Sequence, residues 1–314
     1  MAKKKVENQK SRVWLWVIIV IIAFFVLLFV GCAMIFTSIG VQSDYSSEYG
    51  NVALIPVKGT LSVGSSSGFF SSDSASSTSI IEKIRAAEED PAIKAIVFEI
   101  NSPGGGAVAS YEIANEVKQT KKPTVAWIRE VGASGAYWIA SSTDHIIANP
   151  MSVTGSIGVI GSYIEFEGLL ERYNMTYMRL VAGKYKDIGS PFKELVPDEE
   201  AILQQKLDLI YDIFVKDVAK NRNLPENKTR ELATGLFYLG VEAKDLGLVD
   251  ELGGEQEVKN YMKENTGLTT VTFKKYYDKK GILELLGSVM HDASFNVGRG
   301  IASYFSQEKL SIQT

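Results

Sequence analysis

Apolar runs that predict strands alternate with helical patterns through the first half of the chain after residue 50. Four apolar runs are typical of buried strands: NVALIPVKG (51–59), KAIVFEI (94–100), TVAWI (124–128) and HIIAN (145–149). A helix with Ile80, Ile81 and Ile84 on one side separates the first two runs, and a helical pattern over 107–120 separates the next two. Strands that alternate with helices favour an α/β fold with a mostly parallel sheet.

Three further segments have distinct patterns. The Ser-rich stretch 64–79 predicts a loop, and TYMRLV (176–181) predicts a strand. A later apolar stripe at helical spacing indicates a core helix or an interface between subunits; its members are Leu203, Leu207, Ile210, Phe214 and Val218.

Residues 13–36 contain no charged side chain and are long enough to cross the hydrocarbon core of a bilayer. Five basic residues and one acidic residue precede them within positions 1–12, so we expect a single-pass anchor with a cytoplasmic N-terminus and an extracytoplasmic remainder. A cleaved signal peptide is the alternative, although its apolar core is usually shorter. A weaker pattern, ending at Cys32, resembles a lipoprotein cleavage box.

Composition excludes several classes of function. The formal net charge is −4 in spite of the basic N-terminus, so the rest of the chain has no general attraction for nucleic acid. One cysteine permits neither an intrachain disulfide nor a Cys-based zinc site, and two histidines are too few for most His-rich metal sites.

Two loops at predicted strand ends have the residue types of an acyl-transfer site. SPGGG (102–106) follows one strand, and GASGA (132–136) places Ser134 among small residues at a strand-to-helix turn. Small neighbours allow a nucleophilic serine to stand exposed, and glycine backbone N–H groups can stabilise an oxyanion. Ordinary turns are the alternative; a phosphate-binding loop fits neither the Walker nor the dinucleotide pattern.

A nucleophilic serine needs a base, and the chain offers few. A triad of Ser134, His145 and Asp144 is conceivable, but His145 begins a strand and is expected to lie along the sheet, away from the serine. Lys184 and Lys186 occupy a loop after the predicted strand 176–181. Spacing alone does not choose between these lysines and the other lysines of the surface.

Four segments together resemble the SppA-type signal peptide peptidases, a family of serine–lysine proteases. In chain order they are NSPGGG (101–106), GASGAYWIAS (132–141), TGSIGV (154–159) and GKYKDIGSPF (183–192). The resemblance covers roughly residues 50–265, and no motif has a second copy, as in the short single-domain form. It implies a fold similar to the Clp protease proteolytic subunit and the crotonases, built from repeated ββα units.

The resemblance also implies a role for each matching residue. Ser134 matches the nucleophile, Lys186 the general base, Gly105 and Gly135 the oxyanion donors, and Ser156 a serine that orients the lysine. It implies no metal and no cofactor. In short forms of the family the serine and the lysine of one site come from adjacent protomers of a ring, which implies a homo-oligomer here, with an octamer as one candidate size.

These expectations combine into a membrane-anchored serine endopeptidase that degrades remnant signal peptides or other membrane-derived apolar peptides. The expected organisation is a basic cytoplasmic N-terminus (1–12), a transmembrane anchor (13–36), a linker (37–49), a peptidase domain (50–268) and a C-terminal segment (269–314). That last segment contains an amphipathic helix with Ile282, Leu285, Leu286 and Val289. The alternatives are a crotonase-like acyl-CoA enzyme, which would use the same glycine loop, and a catalytically inactive ring scaffold at the membrane.

Overall fold

The computed structural model describes residues 49–64 and 74–277, together with the helical positions 16, 21–22 and 24–26. Residues 1–48 and 49–314 form two separate units. Most of the predicted anchor, the N-terminal basic region, the linker up to residue 48 and the amphipathic helix near residue 285 lie outside the described residues. Among the helices that are described, none is long and apolar enough to span a bilayer.

The second unit contains ten described strands and eight described helices. The strands are β1 Val52–Lys58, β2 Thr60–Ser62, β3 Ser74–Ser76, β4 Ala95–Ser102, β5 Thr124–Ala133, β6 His145–Ala148, β7 Val153–Gly155, β8 Phe237–Leu239, β9 Glu251–Leu252 and β10 Phe273–Lys275. The helices are α1 Ser77–Glu89, α2 Ala107–Gln119, α3 Gly135–Ser141, α4 Glu167–Arg172, α5 Pro197–Asn221, α6 Glu226–Leu232, α7 Gly240–Asp245 and α8 Glu255–Thr266.

The main sheet has eight strands and is almost wholly parallel, which confirms the predicted α/β class. Its strands pair in the order β10-β1-β4-β5-β6-β9, all parallel. β7 pairs parallel to the last residues of β5 and antiparallel to β8. β2 and β3 form a small separate parallel sheet. β10 lies beyond residue 268, so the sheet includes residues that we expected in the C-terminal segment.

Both faces of the sheet are covered, which explains why the predicted strands are continuous apolar runs. One face packs Phe98 and Ile128 against the helices that carry Ile84, Ile113 and Phe214. The opposite face packs the first half of the central strands beneath α8, through residues that include Leu54, Val97, Trp127, Val258 and Met262.

Two expectations from the pattern need correction, and a third is refined. Residues 176–181 are irregular, with Leu180 94% exposed, because no described strand of the same chain pairs with them and a strand needs such a partner. The Ser-rich loop is shorter than predicted, since 74–76 form β3 and the Ser76 hydroxyl caps α1 by accepting from the Ser79 N–H. The α5 stripe is core only at its C-terminal end, where Phe214 and Val218 are buried.

Candidate active site

Ser134 occupies a strained turn between β5 and α3. Its backbone has φ 54° and ψ −125°, a conformation that a residue with a Cβ rarely adopts and that costs on the order of 1–3 kcal/mol. Two hydrogen bonds hold the turn: the Ser134 N–H donates to the Gly155 carbonyl at 2.8 Å, and the Ser134 carbonyl accepts from the Trp138 N–H at 3.0 Å. The half-buried side chain is thereby presented at the carboxyl end of β5.

The glycine loop lies against the backbone of Leu61 in β2. The Leu61 N–H donates to the Gly104 carbonyl, and the Gly106 N–H donates to the Leu61 carbonyl, both at 2.9 Å. A Cβ added to Gly105 would lie 2.3 Å from the Leu61 oxygen and 2.5 Å from its nitrogen. Only glycine fits at this position, because the backbone of β2 occupies the space of a side chain.

The serine turn and the glycine loop are in direct contact. Gly104 has φ 96°, and a Cβ on it would lie 2.7 Å from the Gly135 nitrogen and 2.9 Å from the Ser134 Cβ. A Cβ on Gly135 would lie 2.1 Å from the Ser110 Oγ. The structure therefore brings Ser134, Gly105 and Gly135 together at one edge of the sheet.

The backbone N–H groups of Gly105 and Gly135 are available to a ligand. Neither donates a hydrogen bond to another residue in the part of the chain that the structure describes. The Gly104 carbonyl points to β2, and across a trans peptide the Gly105 N–H points the opposite way. Two unpaired donors beside the half-buried Ser134 hydroxyl form an arrangement that can bind a developing oxyanion next to a nucleophile.

Ser156 lies beside this site but does not contact the lysine expected to depend on it. It has φ 50° and follows Gly155, whose carbonyl accepts from the Ser134 N–H. Its Oγ donates to the Gly235 carbonyl at 3.2 Å, and its N–H donates to the Leu236 carbonyl at 2.9 Å. The structure records no hydrogen bond between Ser156 and Lys186, both of which are described.

Lys186 lies on an exposed excursion of the chain. Its side chain is exposed. Among the described residues it forms no hydrogen bond or ion pair with Ser134 or with any other group. The excursion contains α4, none of whose residues is buried, and it exposes large apolar side chains such as Ile160 and Met178. Within one chain, the predicted nucleophile Ser134 and the predicted base Lys186 therefore form no hydrogen bond.

Two neighbours distinguish Lys186 from Lys184. The Lys184 ammonium lies 4.7 Å from the centre of the Tyr185 ring, and its interaction with the Tyr185 side chain raises the pKa of Lys184. Asp187, the residue after Lys186, is paired with Arg179, whose Nη2 lies 2.7 Å from one carboxylate oxygen. This pair lowers the pKa of Asp187.

His145 is far from Ser134. It pairs with Val125 at the start of β5, nine residues before Ser134, which is about 30 Å along a strand. Its ring stacks on Tyr261 at 4.0 Å between centroids, and its Nε2 lies 3.4 Å from Glu251. Asp144 instead accepts from Thr124. These contacts exclude the His145 triad within one chain.

The sequence patterns did not point to Leu61 as part of the site. Its contribution is made by backbone N–H and carbonyl groups, which any residue type supplies, so no motif could have indicated it.

The part of the chain that the structure describes contains no group of three or more His, Cys, Asp or Glu side chains that could hold a metal ion.

Comparisons with known proteins place this chain among peptidases. The family model described as Peptidase family S49 matches residues 116–269, and that of the NfeD1b N-terminal domain matches residues 51–166. A putative protease of Methanocaldococcus jannaschii is 34% identical over 229 residues, which are 71% of this chain and 72% of that protein. A putative signal peptide peptidase SppA of Enterococcus faecium is 35% identical over 228 residues, 72% of this chain and 66% of the relative.

A putative protease of Synechocystis is 39% identical over 191 residues, 60% of this chain and 69% of the relative. The solved structure of a mutant 1510-N membrane-bound stomatin-specific protease covers 73% of this chain and 99% of its own, at 16% identity and a TM-score of 0.47, a likeness too weak to carry an argument. The relatives and the family model establish that this chain belongs to peptidase family S49 and is an SppA-type peptidase.

The tight contact at Gly105 generates a first prediction. Gly105→Ala should lower kcat for peptide cleavage by about 10²–10³-fold, because the new Cβ must displace the loop that carries the N–H donor. The measurement is steady-state cleavage of a quenched fluorescent peptide by the purified protein.

Gly106→Ala is the matched control. A Cβ there would lie 3.6 Å from its nearest neighbour, the Leu61 oxygen, which is an ordinary contact, so activity should be nearly normal. Equal activity of the two variants would show that the close packing of Gly105 against Leu61 does not affect catalysis.

Proposed function

We propose that this chain is a serine endopeptidase in which Ser134 is the nucleophile and Lys186 the general base. The observation that carries the proposal is the strained Ser134 turn in contact with the glycine loop, with the Gly105 and Gly135 N–H groups free. The membership of family S49 supports a peptide as the substrate.

The proposed reaction has two halves. The Ser134 Oγ attacks the scissile carbonyl carbon while a neutral Lys186 accepts the hydroxyl proton, and the two glycine N–H groups bind the oxyanion. Collapse of the tetrahedral intermediate breaks the C–N bond, and the leaving amine takes the proton from Lys186. Water then attacks the acyl-enzyme with Lys186 again as base, which releases the acid and restores Ser134.

A complete site is proposed to need two protomers. Lys186 lies on the exposed excursion and forms no hydrogen bond with a described site residue of its own chain, whereas the apolar side chains around it are exposed as an interface would require. A neighbouring subunit in a ring would bring its lysine to Ser134 and exclude water there, which favours the neutral amine. The proposed assembly is a ring-shaped homo-oligomer, with an octamer as one candidate size, of subunits with a Clp protease/crotonase-like fold.

The proposed substrates are membrane-derived apolar peptides, remnant signal peptides among them. The uncharged segment 13–36 and the basic residues before it favour a single-pass anchor that holds the peptidase domain outside the cytoplasm, next to its substrates. Serine–lysine chemistry of this kind requires no cofactor, and the proposed role of Ser156 is to orient the incoming lysine.

The nucleophile assignment predicts the behaviour of Ser134→Ala. Cleavage of a quenched signal-peptide substrate should fall by several orders of magnitude, because the serine and its base act as a unit. Labelling by a fluorophosphonate probe should be lost as well.

Ser142→Ala is the control for this change. It removes a hydroxyl that donates to the Trp138 carbonyl at the other end of α3, and it should leave both cleavage and labelling intact. Persistent cleavage by a clean Ser134→Ala preparation would refute the assignment, and a wild-type protein that is both unlabelled and inactive would favour the scaffold alternative.

The shared site predicts complementation between two inactive variants. Co-expressed Ser134→Ala and Lys186→Ala chains, purified through two different tags, should recover activity. If equal amounts assort at random around a ring, about a quarter of the interfaces receive one intact serine and one intact lysine. Mixed oligomers without activity would instead place both residues of a site in one chain.

A further inference from the structure

We infer that Ser102 is a positioning residue for the oxyanion hole, acting through the backbone of Gly104. This inference rests on the proposed function of Ser134 and Gly105. Ser102 ends β4, and its side chain is completely buried. Its hydroxyl forms hydrogen bonds with Gly59 and Gly104 and none with Ser134, so its role is exerted through the glycine loop.

The Ser102 hydroxyl bridges two backbone segments. Its Oγ donates to the Gly59 carbonyl at 2.6 Å and accepts from the Gly104 N–H at 3.1 Å. Gly59 joins β1 to β2, so the bridge ties the glycine loop to the turn that leads directly to Leu61. The bond from the Gly104 N–H is buried, so water cannot readily replace it, and the bond to the Gly59 carbonyl is partly buried.

The bridge completes the restraint on one residue, Gly104, by holding the peptide units on both sides of its Cα. Leu61 fixes the carbonyl of Gly104 from the β2 side, while Ser102 fixes the N–H of the same residue. Pro103 between them has a restricted φ and no N–H of its own. With Gly104 held at both ends, the trans peptide that follows directs the Gly105 N–H away from β2.

Without the hydroxyl, Gly104 would be restrained only through its carbonyl. Glycine has a broad choice of backbone conformations, so the peptide that carries the Gly105 N–H could rotate. An oxyanion donor works because it is aligned before the charge develops, and a mobile donor loses that advantage. The expected consequence is a lower kcat with little change in KM, since the N–H contributes chiefly in the transition state.

The test compares Ser102→Ala and Ser102→Thr with a matched control, Ser141→Ala, in the full-length protein. Ser141 is also a buried serine whose hydroxyl donates to a backbone carbonyl, that of Trp138, and it lies at the far end of α3. Active sites are first counted by fluorophosphonate titration, so that misfolded protein does not enter kcat. Peptide cleavage, inhibition by a peptide aldehyde and hydrogen–deuterium exchange over 102–110 are then measured.

For Ser102→Ala we expect kcat per labelled site to fall by about 10–100-fold, with KM within about threefold of wild type. Aldehyde affinity should fall in parallel with kcat, and exchange over 102–110 should become faster. Ser102→Thr, which keeps a hydroxyl, should recover most of the activity of its folded fraction. Ser141→Ala should lower thermal stability without changing kcat, aldehyde affinity or exchange in the glycine loop.

Two negative results have different meanings. An active wild-type protein whose Ser102→Ala variant keeps a normal kcat per labelled site, or loses only stability, would overturn the inference and leave the proposed function in place. A wild-type protein that neither cleaves peptides nor reacts with the fluorophosphonate would overturn the proposed function itself. The Ser102 hydroxyl would then have no catalytic role.

Discussion

The close approach of three backbone segments governs the chemistry of this molecule. Leu61, the glycine loop and the Ser134 turn lie so near one another that a side chain at Gly104 or Gly105 would collide with backbone atoms. Leu61 exchanges two backbone hydrogen bonds with the glycine loop, whereas the Gly105 and Gly135 N–H groups, which are proposed to receive an oxyanion, form none with the described residues. The entropy that glycines cost in the unfolded chain is offset by this contact, which no other residue permits.

The parallel sheet and its helices hold these segments in place. β4 and β5 end side by side, so the glycine loop and Ser134 emerge at one edge, and β7 adds the carbonyl that fixes the Ser134 N–H. The strain at Ser134 is supported by α3, which anchors in the core where Trp138 stacks on Phe214 at 4.5 Å. The Trp138 indole N–H also donates to Asp217 at 2.9 Å, so α5 helps to orient the helix that follows the nucleophile.

Features that depend on local pattern could be predicted from the sequence. The central strands follow from apolar runs buried on both faces, and Ser134 became a candidate nucleophile because glycine and alanine flank it at a predicted strand end. Features that depend on a distant partner could not. Residues 176–181 have strand-forming residues but no described strand of their own chain beside them, and Leu61 acts through its backbone. Lys186 forms no hydrogen bond with Ser134 among the described residues, and only the resemblance to a family selected it among the lysines.

The central claim is that Ser134 attacks while Gly105 and Gly135 bind the oxyanion. The most direct measurement is a crystal structure of the assembled protein after reaction with a peptidyl phosphonate, whose phosphoryl oxygen mimics the oxyanion. The account predicts phosphorus bonded to the Ser134 Oγ, with the phosphoryl oxygen about 2.7–3.1 Å from the backbone nitrogens of both Gly105 and Gly135. An adduct on another residue, or a phosphoryl oxygen that contacts neither nitrogen, would contradict it.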